Sequence, residues 1–335
     1  WLMSLWTRAG TNLTTMGLPE CLKEKMVPCD TITDLSKIDA KCREYMARNK
    51  PLLIKGGASD WQAAKKWTFD FFKSDGIGSA MVDVSLDTKE SGQKKRVSLR
   101  EYIESFDRSA SDQTANQAAD DKTATESRFL PYLRAWHFPD DCEQLLEYFP
   151  NPPSCFPDKF KKMAKELQPP FTWIFIGPDG AYSPLHRDIW FTCAWMAQFQ
   201  GRKRFIFFPP SDLPHIYKKE GGCESYLDIS PSAGPAEWGG FPSHAAASPL
   251  EALLDPGDLL YIPSRWPHYV EGLSASVSLT SNFAHTANFK RVLVPYTRWL
   301  ERRRLVRALM HVLPRPGAAG EEGEEEAEGE AEGEA

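Results

Sequence analysis

The chain lacks C-x-x-C pairs, and its seven cysteines are an odd number. Closely spaced pairs are typical of zinc ribbons and dithiol redox sites, and an even set is typical of the disulfide frameworks of secreted domains. The cysteine pattern therefore predicts reduced thiols in a cytoplasmic or nuclear protein.

The sequence also lacks any run of about 18 apolar residues, the length that a membrane-spanning helix needs. The opening segment Trp1–Trp6 is too short for a signal peptide and has no basic flank. Because the chain begins with Trp rather than Met, we expect a processed or truncated N-terminus. These absences predict no membrane association.

A strong net charge is missing everywhere except at the C-terminal end. The formal charge is −6, but residues 321–335 hold nine glutamates, and the rest of the chain carries +3. The Glu-Gly-Ala composition predicts a disordered acidic tail over 314–335. Arginines between 298 and 307 lie on a predicted helix over 289–313, where a solvated face is favoured over a surface for nucleic acid.

Hydrophobic residues make up 41% of the 335 residues, enough for a large domain with its own core. In the first half, apolar spacing predicts helices over 31–50, 61–72 and 100–106, and strands over 51–55 and 80–85. Residues 109–127 contain no large apolar side chain, which predicts a flexible insertion.

The second half contains short β-rich runs between Gly and Pro signals, over 171–177, 191–200, 203–208, 258–263 and 275–283. This pattern predicts a mainly β fold, a jelly roll or double-stranded β-helix with helical additions at both ends. We expect an irregular segment over 1–30, a main domain over 31–285 and a helical element over 286–313. A long irregular loop is expected over 211–250.

The strongest candidate site is built on His186 and Asp188, which are two residues apart in a predicted strand and so project to the same side. That arrangement suits two ligands of one metal, and His268 would supply a third. Two histidines and one carboxylate form the facial triad of non-haem Fe(II) oxygenases, which leaves three coordination positions open. The same donors also fit Zn²⁺ or Mn²⁺, so the residue types alone leave the metal open.

Polar residues at alternating positions surround this candidate site. If the strand continues past His186, one face carries His186, Asp188, Trp190, Thr192, Ala194 and Met196. The last predicted strand carries Ser276, Ser278, Thr280 and Asn282 on one face. Together with the metal ligands, these faces predict a polar barrel interior. Lys203, Thr192 and Thr280 would bind the far carboxylate of a bidentate co-substrate through charge-assisted hydrogen bonds.

Five segments in this order make the chain resemble the Jumonji C and cupin-like 2-oxoglutarate oxygenases. They are Lys50–Trp61 with the following Lys66 and Trp67, Ile176–Asp188, Gly201–Pro210, Asp255–His268 and Ser278–Asn282. The chain is most similar to the small stand-alone hydroxylases of the Jumonji domain-containing protein 4 and 6 types. It is less similar to the chromatin demethylases, which commonly use His-x-Glu.

The resemblance assigns a role to each candidate residue. His186, Asp188 and His268 would bind Fe(II), and Lys203 would pair with the C5 carboxylate of 2-oxoglutarate. The residues implied around that co-substrate are Thr192, Thr280, Tyr132, Asn282 and Ser183. Met196 stands where several hydroxylases carry Asn, which removes a hydrogen-bonding group from that position.

The implied reaction is hydroxylation of a C–H bond, on a protein side chain with lysine favoured, with O₂ as oxidant and decarboxylation of 2-oxoglutarate to succinate and CO₂. Demethylation of N-methyl-lysine is an alternative with the same chemistry, and a non-catalytic cupin-like binding module is a second. The expected partner is a protein substrate. A nucleic acid is less favoured, and the C-terminal helix is a candidate dimer contact.

Overall fold

The computed structural model describes residues 17–87, 92–106, 130–151, 153–221 and 223–312. Sixteen strands form the main part of it. They are β1 Val27–Pro28, β2 Thr31–Ile32, β3 Leu52–Ile54, β4 Met81–Ser85, β5 Lys94–Ser98, β6 Leu133–Trp136, β7 Thr172–Gly177, β8 Tyr182–His186, β9 Cys193–Gln200, β10 Lys203–Phe207, β11 Tyr217–Glu220, β12 Cys223–Tyr226, β13 Leu250–Leu254, β14 Leu259–Ile262, β15 His268–Gly272 and β16 Ser276–Phe283.

The helices are mostly short and flank the strands. The α-helices are α1 Glu20–Lys23, α2 Ile38–Arg48, α3 Gln62–Lys66, α4 Phe69–Lys73, α5 99–106, α6 Leu213–Ile216, α7 Pro235–Trp238 and α8 Phe289–Val312. Single 3₁₀ turns lie at Leu35–Lys37, Phe138–Asp140, Glu143–Tyr148, Phe160–Lys162, Lys165–Leu167, Ile189–Phe191, Pro210–Asp212 and His244–Ala246. None of the described helices is long and apolar enough to cross a membrane.

Two large sheets form the predicted jelly roll. A seven-stranded sheet has the order β2-β3-β14-β9-β16-β7-β6, and a five-stranded sheet has the order β1-β13-β10-β15-β8. The chain crosses from one sheet to the other between β9 and β10 at Gly201, whose φ of +67° and contact with the Ala275 carbonyl leave no room for a Cβ. The mainly β expectation is confirmed.

Strand alternation explains why both faces of each sheet are buried. On β16, Val277 and Leu279 pack outward, while Ser278 and Thr280 point to the space between the sheets, as the sequence predicts. The shared inner core draws on both sheets: Leu53, Ala194, Met196, Leu260 and Ile262 from one, Phe205, Phe207, Ala252, Leu254 and Val270 from the other.

Further layers cover the outer faces. The N-terminal helices pack on the seven-stranded sheet in an aromatic-rich core that includes Trp67, Phe72 and Trp195. On the five-stranded sheet, Ile206 and Tyr269 pack against Leu227 and Phe241. Leu227 and Phe241 come from the segment 211–250, so the expectation of an irregular loop there is wrong. Two short helices, two 3₁₀ turns and the β11–β12 hairpin give that segment structure, and its apolar residues share a core with the outer face of the sheet.

Two helix boundaries also differ from expectation. The helix expected from residue 31 begins at Ile38, because Thr31 and Ile32 pair with β3 as a short parallel strand. The helix expected over 61–72 is two helices separated at Trp67, whose buried side chain packs on Phe72 and Phe199.

The N-terminal region is more ordered than expected, since residues 17–30 contain α1 and the edge strand β1. The expected insertion over 109–127 and the acidic tail over 314–335 lie outside the described residues, and so does the segment 1–16. The division into a main domain over 31–285 and a C-terminal element over 286–313 stays a prediction.

Candidate metal centre

Neighbouring strands bring the two candidate histidines together. His186 is the last residue of β8 and His268 is the first residue of β15, and the antiparallel register makes them direct partners. Their ring centroids are 4.4 Å apart. His268 is buried, and its ring packs against the rings of Phe205 and Phe207.

Asp188 reaches the same point by a different route from the one expected. The strand stops at His186, and a 3₁₀ turn over Ile189–Phe191 follows, with Trp190 and Phe191 at φ of 56° and 58°. The expectation that one strand face continues from His186 to Met196 is therefore wrong. The left-handed residues redirect the chain, and Trp190 packs on Trp299 of α8 instead of sharing the face of Asp188.

Hydrogen bonds fix which nitrogen of each imidazole can bind a metal. Nδ1 of His186 lies 2.7 Å from the carbonyl oxygen of Pro184, and Nδ1 of His268 lies 3.0 Å from that of Trp266. Because a carbonyl can only accept, each Nδ1 carries the proton and each Nε2 keeps its lone pair. Carbonyl contacts of this kind orient metal-binding histidines in known sites.

The charges of the cluster also fit a cation. Burial lowers the pKa of His268 to about 4, so this imidazole is neutral at physiological pH. Burial raises the pKa of Asp188, and its Oδ2 is buried without a hydrogen bond. A buried carboxylate oxygen without a donor is costly unless a cation pairs with it. Oδ1 of the same residue lies 3.8 Å from Nε2 of His268.

One ligand atom from each of His186, Asp188 and His268 lies within 4.8 Å of the others, and no second such cluster occurs in the described chain. Two imidazole nitrogens and one carboxylate on one side of a point match the donor set of non-haem Fe(II) sites. The residues therefore fit an Fe(II) ion with open positions facing the cavity.

Lys203 lies on the inner face of β10, where it pairs with Gly272 of β15, four residues along the strand from the pair formed by Phe207 and His268. Its side chain is 1% exposed, and Nζ donates to Tyr132 Oη at 3.1 Å and to Ser278 Oγ at 2.5 Å. No carboxylate among the described residues pairs with it. Burial without a counter-charge lowers its pKa to about 7. The structure thus holds a desolvated amine that an anionic ligand would stabilise in its charged form.

Tyr132 is brought to Lys203 by a close approach of two chain segments. A Cβ at Gly177 would lie 2.7 Å from the Tyr132 ring, so only glycine lets this ring pack against β7. Ser278, which completes the set around Lys203, was not among the predicted ligand-binding residues. Its position on the same face of β16 as Thr280 was the available signal.

The remaining candidates divide between two ends of the cavity. Thr280 lines the cavity and donates to the carbonyl oxygen of Trp195 at 2.7 Å. Asn282 lines it near the metal ligands and donates to Thr192 Oγ1 at 2.9 Å. Since Asn282 and Ser278 are four residues apart on one strand, roughly 13 Å separates them. Thr192 is thus placed to orient Asn282, and the structure does not bring its hydroxyl to Lys203.

The cavity that His186, Asp188 and His268 border has a volume of about 220 Å³. Ser183 and Met196 line it, as does Arg187 from between the two ligands of the His186–Asp188 pair. The other lining residues, several of them aromatic or aliphatic, are Tyr132, Ala135, Trp173, Phe175, Ile189, Ala194, Phe205, Ile262 and Val270. A mainly apolar wall with few polar groups is typical of a small-molecule site.

A model of the cupin-like domain matches residues 39–289, three quarters of the chain. The chain belongs to the cupin-like domain family. Within it, this domain is similar to the Jumonji oxygenases and demethylases, which confirms the family that the sequence motifs indicate.

Three relatives illustrate the similarity of this cupin-like domain. It is 27% identical to the lysine-specific demethylase JMJ21 of Arabidopsis thaliana, over 75% of this chain and 25% of the relative. It is 25% identical to the arginine-specific demethylase JMJ20 of the same plant, over 74% of this chain and 55% of the relative. It is 24% identical to the 2-oxoglutarate and iron-dependent oxygenase JMJD4 of Gallus gallus, over 73% of this chain and 57% of the relative. The matched region is thus between a quarter and little more than half of these relatives.

Proposed function

We propose that the chain is an Fe(II)- and 2-oxoglutarate-dependent dioxygenase that hydroxylates a C–H bond of a protein side chain. The observation that carries the proposal is the buried amine of Lys203, which lacks a carboxylate partner among the described residues and lies behind the cavity that His186, Asp188 and His268 border. A dicarboxylic acid satisfies both features, with one carboxylate at the metal and the other at Lys203.

Each residue then has a defined task. With O₂ as the oxidant, bound iron would supply the redox chemistry in which one oxygen atom enters succinate as 2-oxoglutarate loses CO₂ and the other hydroxylates the substrate. His186, Asp188 and His268 hold that ion on one side and leave the cavity side open. Lys203 and Ser278 bind the far carboxylate, while the apolar wall keeps water away from the reacting groups.

A protein substrate is supported by the relatives, whose names specify lysine or arginine demethylation in two of the three cases described above. Demethylation is therefore the second candidate, since hydroxylation of an N-methyl carbon releases formaldehyde. A non-catalytic binding module is less well supported, because the three side chains proposed as metal ligands lie close together.

Mass spectrometry of protein extracts separates these candidates. After incubation with the enzyme, Fe(II) and 2-oxoglutarate, hydroxylation adds one oxygen atom to a peptide, whereas demethylation removes a methyl group and yields formaldehyde. The Asp188→Ala protein serves as control. If neither product depends on 2-oxoglutarate and on Asp188, the binding module is the better description.

We also propose a homodimer and a cytoplasmic or nuclear location. Val294 and Leu305 of α8 are 55% and 61% exposed, which supports a homodimer through this helix. Analytical ultracentrifugation of the wild type and of a Val294→Glu, Leu305→Glu protein would test it. The wild type should sediment as a dimer and the variant as a monomer, and the same sedimenting mass for both proteins would contradict the homodimer. The arginines of α8 offer a surface for nucleic acid, which stays less favoured than a solvated face. Free cysteines throughout the described chain support a cytoplasmic or nuclear location.

A further inference from the structure

The turn that follows Asp188 adopts a conformation that its own residue types disfavour. Trp190 and Phe191 have φ of 56° and 58°, in the left-handed region that bulky side chains rarely adopt. Two such residues in succession persist only where the surrounding structure holds them. Because the turn begins directly after Asp188, the contacts that hold it also bear on where this carboxylate lies.

Two hydrogen bonds hold the end of the turn. The carbonyl oxygen of Phe191 accepts from Ser264 Oγ at 2.6 Å and from Asn288 Nδ2 at 3.2 Å. These bonds fix the point at which the chain leaves the turn. Neither of them involves Trp190, the first of the two left-handed residues, so its conformation depends on other contacts.

The Trp190 side chain is held by aromatic rings, two of them on α8. Its ring centroid lies 5.7 Å from that of Trp299, 6.4 Å from that of Tyr296 and 5.0 Å from that of Phe171. Of the ring contacts that Trp299 makes in the described chain, only the one with Trp190 leaves its own helix. The helix begins at Phe289, where the match to the cupin-like domain ends. An element that follows the matched domain thus supports a turn next to the metal cluster.

The Asp188 carboxylate needs a restraint of this kind. Its Oδ2 is buried without a hydrogen bond, so hydrogen bonds do not hold both carboxylate oxygens in place. A buried carboxylate oxygen in that state is stabilised by turning towards water. The ligand atom of Asp188 nevertheless lies within 4.8 Å of those of His186 and His268. The backbone of the adjoining turn is therefore important for keeping the carboxylate at the cluster.

We propose that Trp299 is a positioning residue of the metal centre, which packs on Trp190 and so holds the left-handed turn that keeps Asp188 beside His186 and His268. This role rests on the metal site of the proposed function and adds a contribution from α8 to it. It gives the helix a task within one chain, separate from the homodimer contact proposed for its exposed apolar residues.

The Zn(II) affinity of the full chain, measured by competition with a chelator, tests this role without turnover, since Zn(II) fits the same donors. Trp299→Ala should lower the affinity about 10- to 100-fold, the usual loss when a group that orients a metal ligand is removed. Trp299→Phe keeps a ring against Trp190 and should restore most of the affinity. The matched control is Trp238→Ala, which removes a partly buried ring from the core outside the five-stranded sheet. It should leave the affinity unchanged.

Two variants at Trp190 test how the restraint acts and do not depend on how well Trp299→Ala folds. Trp190→Ala and Trp190→Gly both remove the ring, but glycine adopts the left-handed region without strain. If the ring contact serves to hold that conformation, the Gly variant should bind Zn(II) about fivefold or more tightly than the Ala variant. A role in packing alone predicts no advantage for glycine.

A Trp299→Ala protein with the Zn(II) affinity of the wild type overturns the proposed role. So does an equal loss in Trp238→Ala, or a Trp190→Gly protein that binds no better than Trp190→Ala. A wild type that binds no Zn(II) contradicts the metal site itself. Succinate formation from 2-oxoglutarate by the Fe(II)-loaded wild type reports separately on the proposed function.

Discussion

Replacing Lys203 by methionine removes one positive charge from the interior while keeping an unbranched side chain of similar length. In the ligand-free protein, this charge is buried and has no carboxylate partner among the described residues. The substitution should therefore harm co-substrate binding while it spares the fold. Such a separation of binding from stability is unusual for a change at a site that is 1% exposed.

The loss of binding can be estimated from the contact that disappears. A hydrogen bond to a charged group contributes about 1.5–3 kcal/mol. At 1.4 kcal/mol per tenfold change, Kd for 2-oxoglutarate should rise about 10- to 150-fold. Binding to the metal through the other carboxylate persists, so weak affinity should remain.

The free energy of unfolding of the Lys203→Met protein, in contrast to its affinity for 2-oxoglutarate, should not fall. The pKa of Lys203 is about 7 in the folded protein and 10.5 in its unperturbed state. Between these values the unfolded chain binds more protons than the folded one, so the wild type gains stability as pH rises from 7 to 10. Keeping the buried amine charged at pH 7 costs the folded wild type on the order of 4 kcal/mol. The variant avoids this cost but loses the two hydrogen bonds of Lys203, which offsets part of the gain. We expect the Lys203→Met protein to be at least as stable as the wild type at pH 7.

Two assays check this prediction. Calorimetric titration with 2-oxoglutarate on the Zn(II)-loaded protein gives Kd, and at pH 8 the wild type should take up a proton on binding that the variant does not. Chemical denaturation at pH 7 and 9.5 gives the stability difference, which should shift towards the wild type as pH rises. Lys66→Met, on an exposed face of α3, is the control. An unchanged Kd would show that Lys203 does not bind the co-substrate, and a variant much less stable at pH 7 would show that the buried amine stabilises the fold.

Two further predictions concern the surroundings of the site. Ser278→Ala removes one acceptor of Lys203, and Kd for 2-oxoglutarate should rise about 3- to 10-fold, in keeping with a net hydrogen bond of about 1 kcal/mol, while Fe(II) affinity measured by competition with a chelator stays the same. Glu271→Ala leaves the buried guanidinium of Arg204, paired at 2.8 Å, without its closest partner. Unfolding in urea should show a loss of about 3–5 kcal/mol, and a loss below about 1 kcal/mol would show that Glu251 alone compensates Arg204.

The proximity of His186 and Asp188 and the inward position of Lys203 could be predicted from the sequence, because they depend on local spacing and on strand alternation. His186 and Asp188 are two residues apart, and Lys203 and Ser278 fall on inward positions of their strands. These spacings and the strand faces they imply stay the same even if the predicted ends of a strand are wrong by a few residues. The double-sheet fold follows from the same short apolar runs.

The backbone turn after Asp188 could not be predicted, because it depends on backbone conformations that the residue types do not indicate. Trp190 and Phe191 adopt left-handed φ values without being glycine. Bulky residues rarely do so, and contacts with Trp299 and Phe171 stabilise this turn only in the folded protein. Because of this turn, Thr192 lies beside Asn282 and not beside Lys203, where the sequence predicted it.

The contacts around Lys203 and Arg187 required the tertiary structure for another reason. Ser278 meets Lys203 across the two sheets, and the register of β16 on β9 shifts at the preceding Val277. The β11–β12 hairpin, whose tyrosines contact Arg187, lies about 30 residues further along the chain, in four-residue strands too short for a periodic signal. Its tyrosines therefore gave no indication of a contact with Arg187.

We propose that His186, Asp188 and His268 hold the iron with which the protein converts 2-oxoglutarate. The most direct test measures succinate formed per 2-oxoglutarate consumed, together with iron bound per chain, in the wild-type and Asp188→Ala proteins. We expect one iron per chain and equal amounts of succinate and consumed 2-oxoglutarate in the wild type, and loss of both in the variant. Succinate formation that continues unchanged in the Asp188→Ala protein would contradict it.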